Sequence, residues 1–189
     1  VDLLTELDYV DIVDGEPVVS IEGEKLAQVH NASDLLIAQC LKRGIWQELD
    51  PAELAGVVSL CTFENRRATG GQLFDGVTDA MTSAMENTMR LWEELISDES
   101  RHGLPHTREP EPGFSIAIHQ WCAGAPLGYC LAAAAESGAE LTPGDFVRWC
   151  RQVIDLLQQV AKTGYSSEIK RTAGQAIASI NRGVVAIGS

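Results

Sequence analysis

The chemistry this sequence offers lies in four polar side chains on one predicted helix. Between Gly144 and Lys162, Phe146, Val147, Cys150, Val153, Ile154, Leu157 and Val160 recur at three- and four-residue steps and mark an inward stripe. Arg148, Gln152 and Asp155 follow the same period on a neighbouring face, with Arg151 beside them. A guanidinium grips a phosphate through two parallel hydrogen bonds, and a carboxamide both donates to and accepts from a base or sugar. A carboxylate can orient an arginine or accept from a 2′-hydroxyl. The wet face of any amphipathic helix carries the same pattern, and periodicity alone leaves both readings open.

Other candidates are weaker. Glu99-Ser100-Arg101-His102 has the Glu-x-x-His spacing that puts two ligands on one face of a di-iron bundle helix. Such a site needs a second copy, and no other histidine here follows a glutamate by three residues. A solvated surface pair is therefore expected, and no metal. His119 sits among Ile116, Ala117, Ile118, Trp121 and Cys122, the surroundings of a hydrogen-bonded core or interface histidine. Cys40, Cys61, Cys122, Cys130 and Cys150 are odd in number and include no C-x-x-C, so reduced, buried thiols of a cytoplasmic protein are expected. No lysine directly follows a glycine, and no G-x-G-x-x-G or G-x-S-x-G occurs, so a phosphate-cradling loop and a nucleophile elbow are both absent. Trp46, Trp92, Trp121 and Trp149 could stack on bases, but all lie in apolar periodic patterns that predict core packing. Trp149, next to Arg148, stands nearest the candidate face.

The elements that must position these groups are helices. At 189 residues, 45% hydrophobic and 22% charged, the chain suits one domain with a sizeable core. No apolar run reaches the length of a membrane span, the N-terminus lacks a signal-peptide pattern, and no membrane partner is expected. The chain opens Val1-Asp2-Leu3 without an initiating Met, which reads as part of something longer. Net charge is −13, but residues 143–189 hold six Lys/Arg against three Asp/Glu, whereas residues 1–142 hold eight against twenty-four. A polyanionic partner is expected to meet the last two helices.

Leu3-Leu4-x-x-Leu7 reads as a helix tail, followed by β-prone Tyr9–Val13 and Pro17–Val19 around the hairpin signal Asp14-Gly15. Residues 1–27 are read as the end of a winged helix, helix tail plus wing. Residues 28–189 then form a helical bundle. Helices are predicted over 23–30, 34–43, 52–63, 77–98, 116–122, 127–137, 144–162 and 165–187, with a polar loop over 64–76 and an exposed connector over 102–112. The fold class is all-α, a multi-helix bundle preceded by the β-hairpin remnant of a winged helix.

Ala32–Trp46, Leu49–Ala55 and Val58-Ser59 resemble the helical stretch that precedes the DSHCT domain of superkiller-type DExH-box helicases. His119-Gln120-Trp121-Cys122-Ala123-Gly124-Ala125 is similar to that domain's Trp-x-x-Gly-Ala signature, and Pro143–Leu157 to its following helix. The opening Gly144-Asp145-Phe146-Val147-Arg148 has the flavour of the actinobacterial HelY subgroup. The resemblance spans nearly the whole chain. It implies a non-catalytic C-terminal accessory domain of an ATP-dependent superfamily 2 RNA helicase, in which a ratchet helix of the bundle touches the translocating strand. ATP and magnesium would be held by two RecA-like domains outside these residues, and no cofactor is expected within them. The implied partners are single-stranded nucleic acid, RNA before DNA, and the RecA-like and winged-helix domains of the same chain. Gly144–Lys162 is similar to the ratchet helix, with Arg148, Gln152 and Asp155 at its strand-facing positions. Eukaryotic members carry Arg where Gln152 stands and Glu where Asp155 stands. Two further readings stay open: a helical protein–protein adaptor without nucleic-acid contact, and a metal-dependent bundle enzyme.

Overall fold

The structure, a computed structural model, describes residues 2–65 and 76–187. It is a helical bundle with a two-stranded sheet near its N-terminal end. Helix α1 (Asp2–Glu6) leads into β1 (Val10–Val13) and β2 (Glu16–Val19), paired antiparallel with Val10 opposite Val19 and Val13 opposite Glu16. Asp14 and Gly15 turn the chain at φ 51° and 79°. Two successive left-handed residues make the turn whose twist matches that of the strands, which is why an Asp-Gly pair sits there. Ile12, Val13, Val18 and Val19 of this hairpin are exposed. Its base is tied down instead. Ser20 donates through its hydroxyl to Asp8 O at 2.6 Å and through its N–H to Tyr9 O at 3.1 Å. The buried Tyr9 hydroxyl accepts from Gln39 Nε2 at 2.8 Å.

Ser20 also caps α2 (Ile21–Leu26), accepting from the Gly23 N–H at 3.0 Å, so this helix starts and stops earlier than its apolar pattern predicts. Helix α3 (Asp34–Lys42) ends before Gly44, which takes φ 71°. Helix α4 (Pro51–Val58) opens with a reciprocal capping box between Asp50 and Glu53. It stops short of the predicted Phe63. The Ser59 hydroxyl donates back to Gly56 O at 2.6 Å, and the chain tightens into a 3-10 turn over Ser59–Cys61. Residues 66–75 of the predicted polar loop lie outside the described residues.

Thr78 caps the long α5 (Asp79–Arg101), which buries Met81, Ala84, Met85, Thr88, Leu91, Leu95 and Glu99. Glu99 corrects the expectation of a solvated Glu-x-x-His pair, because Thr107 donates to its carboxylate from both N–H (2.7 Å) and hydroxyl (2.8 Å). The predicted connector is exposed only in part. Pro110, Glu111 and Pro112 are buried, and the Glu111 N–H donates to Leu60 O at 3.0 Å.

Helices α6 (Ser115–Cys122), α7 (Leu127–Glu136) and α8 (Pro143–Lys162) follow as predicted to within a residue or two. The last predicted helix is interrupted, giving α9 (Ser167–Ile180) and a short α10 (Gly183–Ala186). Gly183 takes φ 51°, and the Arg182 side chain turns back to the end of α6. Helix α8 packs most extensively along α9, and α4 along α6. An aromatic chain runs through the core, with ring centroids 5.3 Å apart for Phe63–Phe114, 5.5 Å for Phe114–Phe146 and 5.3 Å for Trp121–Phe146. Trp46 and Trp121 are buried, whereas Trp92 and Trp149 are half-buried. All five cysteines are free, buried thiols. Among the described residues, no helix is long and apolar enough to cross a membrane.

Candidate nucleic-acid interface

The start of α8 sets the phase of everything on it. The Thr142 hydroxyl accepts from the Asp145 N–H at 3.1 Å, the Asp145 carboxylate accepts from the Thr142 N–H at 3.2 Å, and Pro143 pre-forms the first turn. From that start, Phe146, Cys150, Val153, Leu156, Leu157 and Val160 turn into the core. Arg148, Arg151, Gln152 and Asp155 turn outward, and all four are exposed.

Their engagements differ. The side chain of Arg148, 63% exposed, lies 3.5 Å from Asp145 Oδ1 and 5.2 Å over the Trp149 ring. The Thr142 N–H holds the Asp145 carboxyl below the usual carboxylate range. An exposed pair three residues apart on a helix is weak and screened by solvent, so a phosphate can exchange for that carboxylate at small cost. Arg151 points instead at the C-terminal turn, donating from Nη2 to Ile187 O at 2.8 Å and to Val185 O at 3.4 Å. The side chain of Gln152 makes no hydrogen bond with the described residues. Asp155 Oδ2 accepts from Gln159 Nε2 at 3.1 Å, and Gln159 Oε1 accepts from the His30 N–H at 2.6 Å.

Beside Arg148, the N-terminal end of α8 borders an open depression of about 700 Å³ lined by Phe63, Glu64, Asn65, Glu140, Leu141, Thr142, Asp145, Arg148 and Trp149. The Trp149 ring stands edge-on to Phe63, with centroids 5.0 Å apart, and Asn65 Nδ2 donates to Gly138 O at 3.1 Å. Phe63 and Asn65 escape the sequence reading because tertiary packing sets their place beside α8, and Gln159, on α8 itself, escapes it because its partner His30 comes from far along the chain. The one available signal was Gln159 itself, four residues beyond Asp155 on the same face. The surface is mixed in sign: Arg148 lines the depression together with the acidic Glu64, Glu140 and Asp145. It is not a continuous basic groove.

The other candidates lie elsewhere. His119 is buried with Nδ1 3.2 Å from Gln120 Nε2, and burial lowers its pKa against the opposing pull of Asp50 and Glu53. His102 Nε2 lies 3.5 Å from Glu6 Oε2. Among the described residues, no three His, Cys, Asp or Glu side chains gather where they could hold a metal ion.

The bundle is entered through a hairpin, its Trp121-x-x-Gly124-Ala125 helix end is braced by the distant Arg182, and the long capped α8 lies beside it. Residues 16–187 fit the model of the DSHCT (NUC185) domain, and the chain belongs to that family. Among its relatives, a protein of Mycobacterium tuberculosis described as a probable helicase HelY is 45% identical over 99% of this chain and 21% of its own length. A protein of Mycobacterium leprae with the same description is 42% identical over the same shares. The chain thus spans about a fifth of the length of these relatives.

Proposed function

We propose that this chain is a non-catalytic, C-terminal accessory domain of an ATP-dependent superfamily 2 helicase, and that the outer side of α8 guides the translocating single strand. The observation that carries this reading is the phase of α8: its capping box and buried stripe leave Arg148, Gln152 and Asp155 in a row on solvent. Arg148 takes a phosphate, Gln152 a base or sugar edge, and Asp155 a donor such as a ribose 2′-hydroxyl, which favours RNA as the strand. The depression beside Trp149 gives a base room to leave the stack. Few and individually weak contacts suit a domain that must hold a strand and release it.

ATP and magnesium belong to RecA-like domains in the remainder of the protein, which also supplies the motor. These domains and the body of a winged helix, of which residues 1–27 are the end, are the proposed intramolecular partners. The exposed apolar hairpin supports that reading, because Ile12 and Val19 on one side of it and Val13 and Val18 on the other are left for protein to cover. Five free thiols suit a reducing, cytoplasmic setting.

The test is Arg148→Glu in the full-length protein. Duplex unwinding is expected to fall while ATP hydrolysis without a duplex survives. Unwinding at the parental rate would remove α8 from the strand path. It would also favour the second reading, a helical adaptor that uses the hairpin and the acidic surface to bind protein.

A further inference from the structure

The bridge from Asp155 through Gln159 to His30 assigns Gln159 a role of its own. A backbone N–H can only donate, so the His30 N–H at 2.6 Å fixes which end of the Gln159 amide faces it: the oxygen. The amide nitrogen is thereby aimed along α8, where it meets Asp155 Oδ2 at 3.1 Å. The two residues are four apart and lie on one helical face, so the reach is short. His30 follows the buried Val29, which anchors that backbone to the core. Among the described residues, Oδ1 of the same carboxylate accepts no hydrogen bond.

We propose that Gln159 is a positioning residue: pinned by the backbone at His30, it holds the Asp155 carboxylate in one orientation with Oδ1 turned out as an acceptor for a donor on the passing strand. This rests on the reading of α8 as the strand-facing helix. The donor is a hydroxyl or amine, either a ribose 2′-hydroxyl or an exocyclic base amine. An exposed Asp without such support samples several rotamers and loses entropy on contact, whereas a held one has already lost it.

The experiment is a double-mutant cycle in the full-length protein, reading affinity for a single-stranded RNA and for its 2′-deoxy counterpart. Asp155→Ala is expected to weaken RNA binding about three- to tenfold, the worth of one hydrogen bond. Gln159→Met, of similar length but without the amide, is expected to cost a substantial part of that loss in the parent and nothing in the Asp155→Ala background. Where Gln159→Met folds poorly, Gln159→Glu takes its place, since its carboxylate still accepts from the His30 N–H but cannot donate to Asp155. A Gln159 loss confined to RNA names the 2′-hydroxyl as donor, and one shared by both strands names a base amine. Either supports the proposal. If Gln159→Met weakens binding equally with and without Asp155, the residue is merely structural and the proposal is overturned. If Asp155→Ala and Arg148→Glu both leave binding unchanged, the strand-facing reading of α8 itself has failed.

Discussion

The guanidinium carbon of Arg182 lies over the Trp121 indole, 3.7 Å from the ring centroid, and Nη2 donates to the main-chain oxygens of both Trp121 and Ala125 at 2.7 Å. In return, Trp121 Nε1 donates to Ile180 O at 2.8 Å. The Trp121 and Ile180 carbonyls each also accept a local backbone N–H, from Gly124 at 3.0 Å and from Arg182 at 2.8 Å, so the side chains from the opposite element add a second bond where α6 and α9 end. Hydrogen bonds from a charged donor contribute about 1.5–3 kcal/mol, and a stacked cation about 0.5–2 kcal/mol more. Arg182→Met is therefore expected to cost about 2–4 kcal/mol and lower the melting temperature by roughly 5–15 °C. Arg182→Lys rescues little, because an ammonium has no flat fork to stack and bridge two carbonyls. Calorimetry on the three proteins checks the order, and a lysine variant as stable as the parent would refute the bidentate account.

Trp46 and Thr88 form a second polar lock, this one fully inside the core. Trp46 Nε1 donates to Thr88 Oγ1 at 3.0 Å, and the Thr88 hydroxyl in turn donates to Ala84 O at 2.7 Å. Thr88→Val keeps the shape and removes the acceptor, leaving a buried indole N–H without a partner. The expected loss is about 1–3 kcal/mol in urea unfolding with an unchanged m-value. Thr88→Ser, which keeps the hydroxyl, should stay closer to the parent.

These locks mark where sequence reading stops. The hairpin was legible from Asp14-Gly15, and α4 and α8 from Asp50-Pro51 and Thr142-Pro143, because caps and turns are local chemistry. The outward phase of Arg148, Arg151, Gln152 and Asp155 followed from the inward stripe between Phe146 and Val160. The break between α9 and α10 was hidden, since apolar residues continue across it at Ile177, Ile180 and Val185 while its cause, the pull of Trp121 on Arg182, lies 61 residues away. Glu99 looked wet on charge alone, and only its contact with Thr107 explains its burial. Gln159 belongs to no motif, and only the fold sets its side chain against the His30 backbone.

The buried thiols predict alkaline behaviour. Burial pushes Cys61 up to about 12 and Cys122 and Cys130 up to about 11, from an ordinary value near 9. Between those limits the folded state keeps protons that the unfolded chain has released. Stability is therefore full below pH 9 and falls as pH rises through the folded values. The melting temperature is expected to decline above pH 9, and Cys61→Ala is expected to flatten part of that decline. At pH 8 iodoacetamide should leave the folded protein largely unmodified and alkylate all five cysteines in denaturant. Rapid labelling of the native protein would contradict the sealed core.

Arg148 and Arg151 stand three residues apart on α8, yet they are predicted to behave differently. Arg148 holds an exposed carboxylate that a phosphate can replace, whereas Arg151 Nη2 is committed to Val185 O and Ile187 O. Releasing a phosphate contact from a single strand reduces the slope of log affinity against log salt by about 0.7. Arg148→Met in the full-length protein is expected to show that reduction and to leave thermal stability within about 0.5 kcal/mol of the parent. Arg151→Met is expected to leave the slope in place and to loosen the C-terminal turn, seen as faster amide hydrogen exchange through residues 183–187. Equal slope changes in both variants would mean that Arg151 leaves its carbonyls for the strand, and the division of labour argued from the geometry would be wrong.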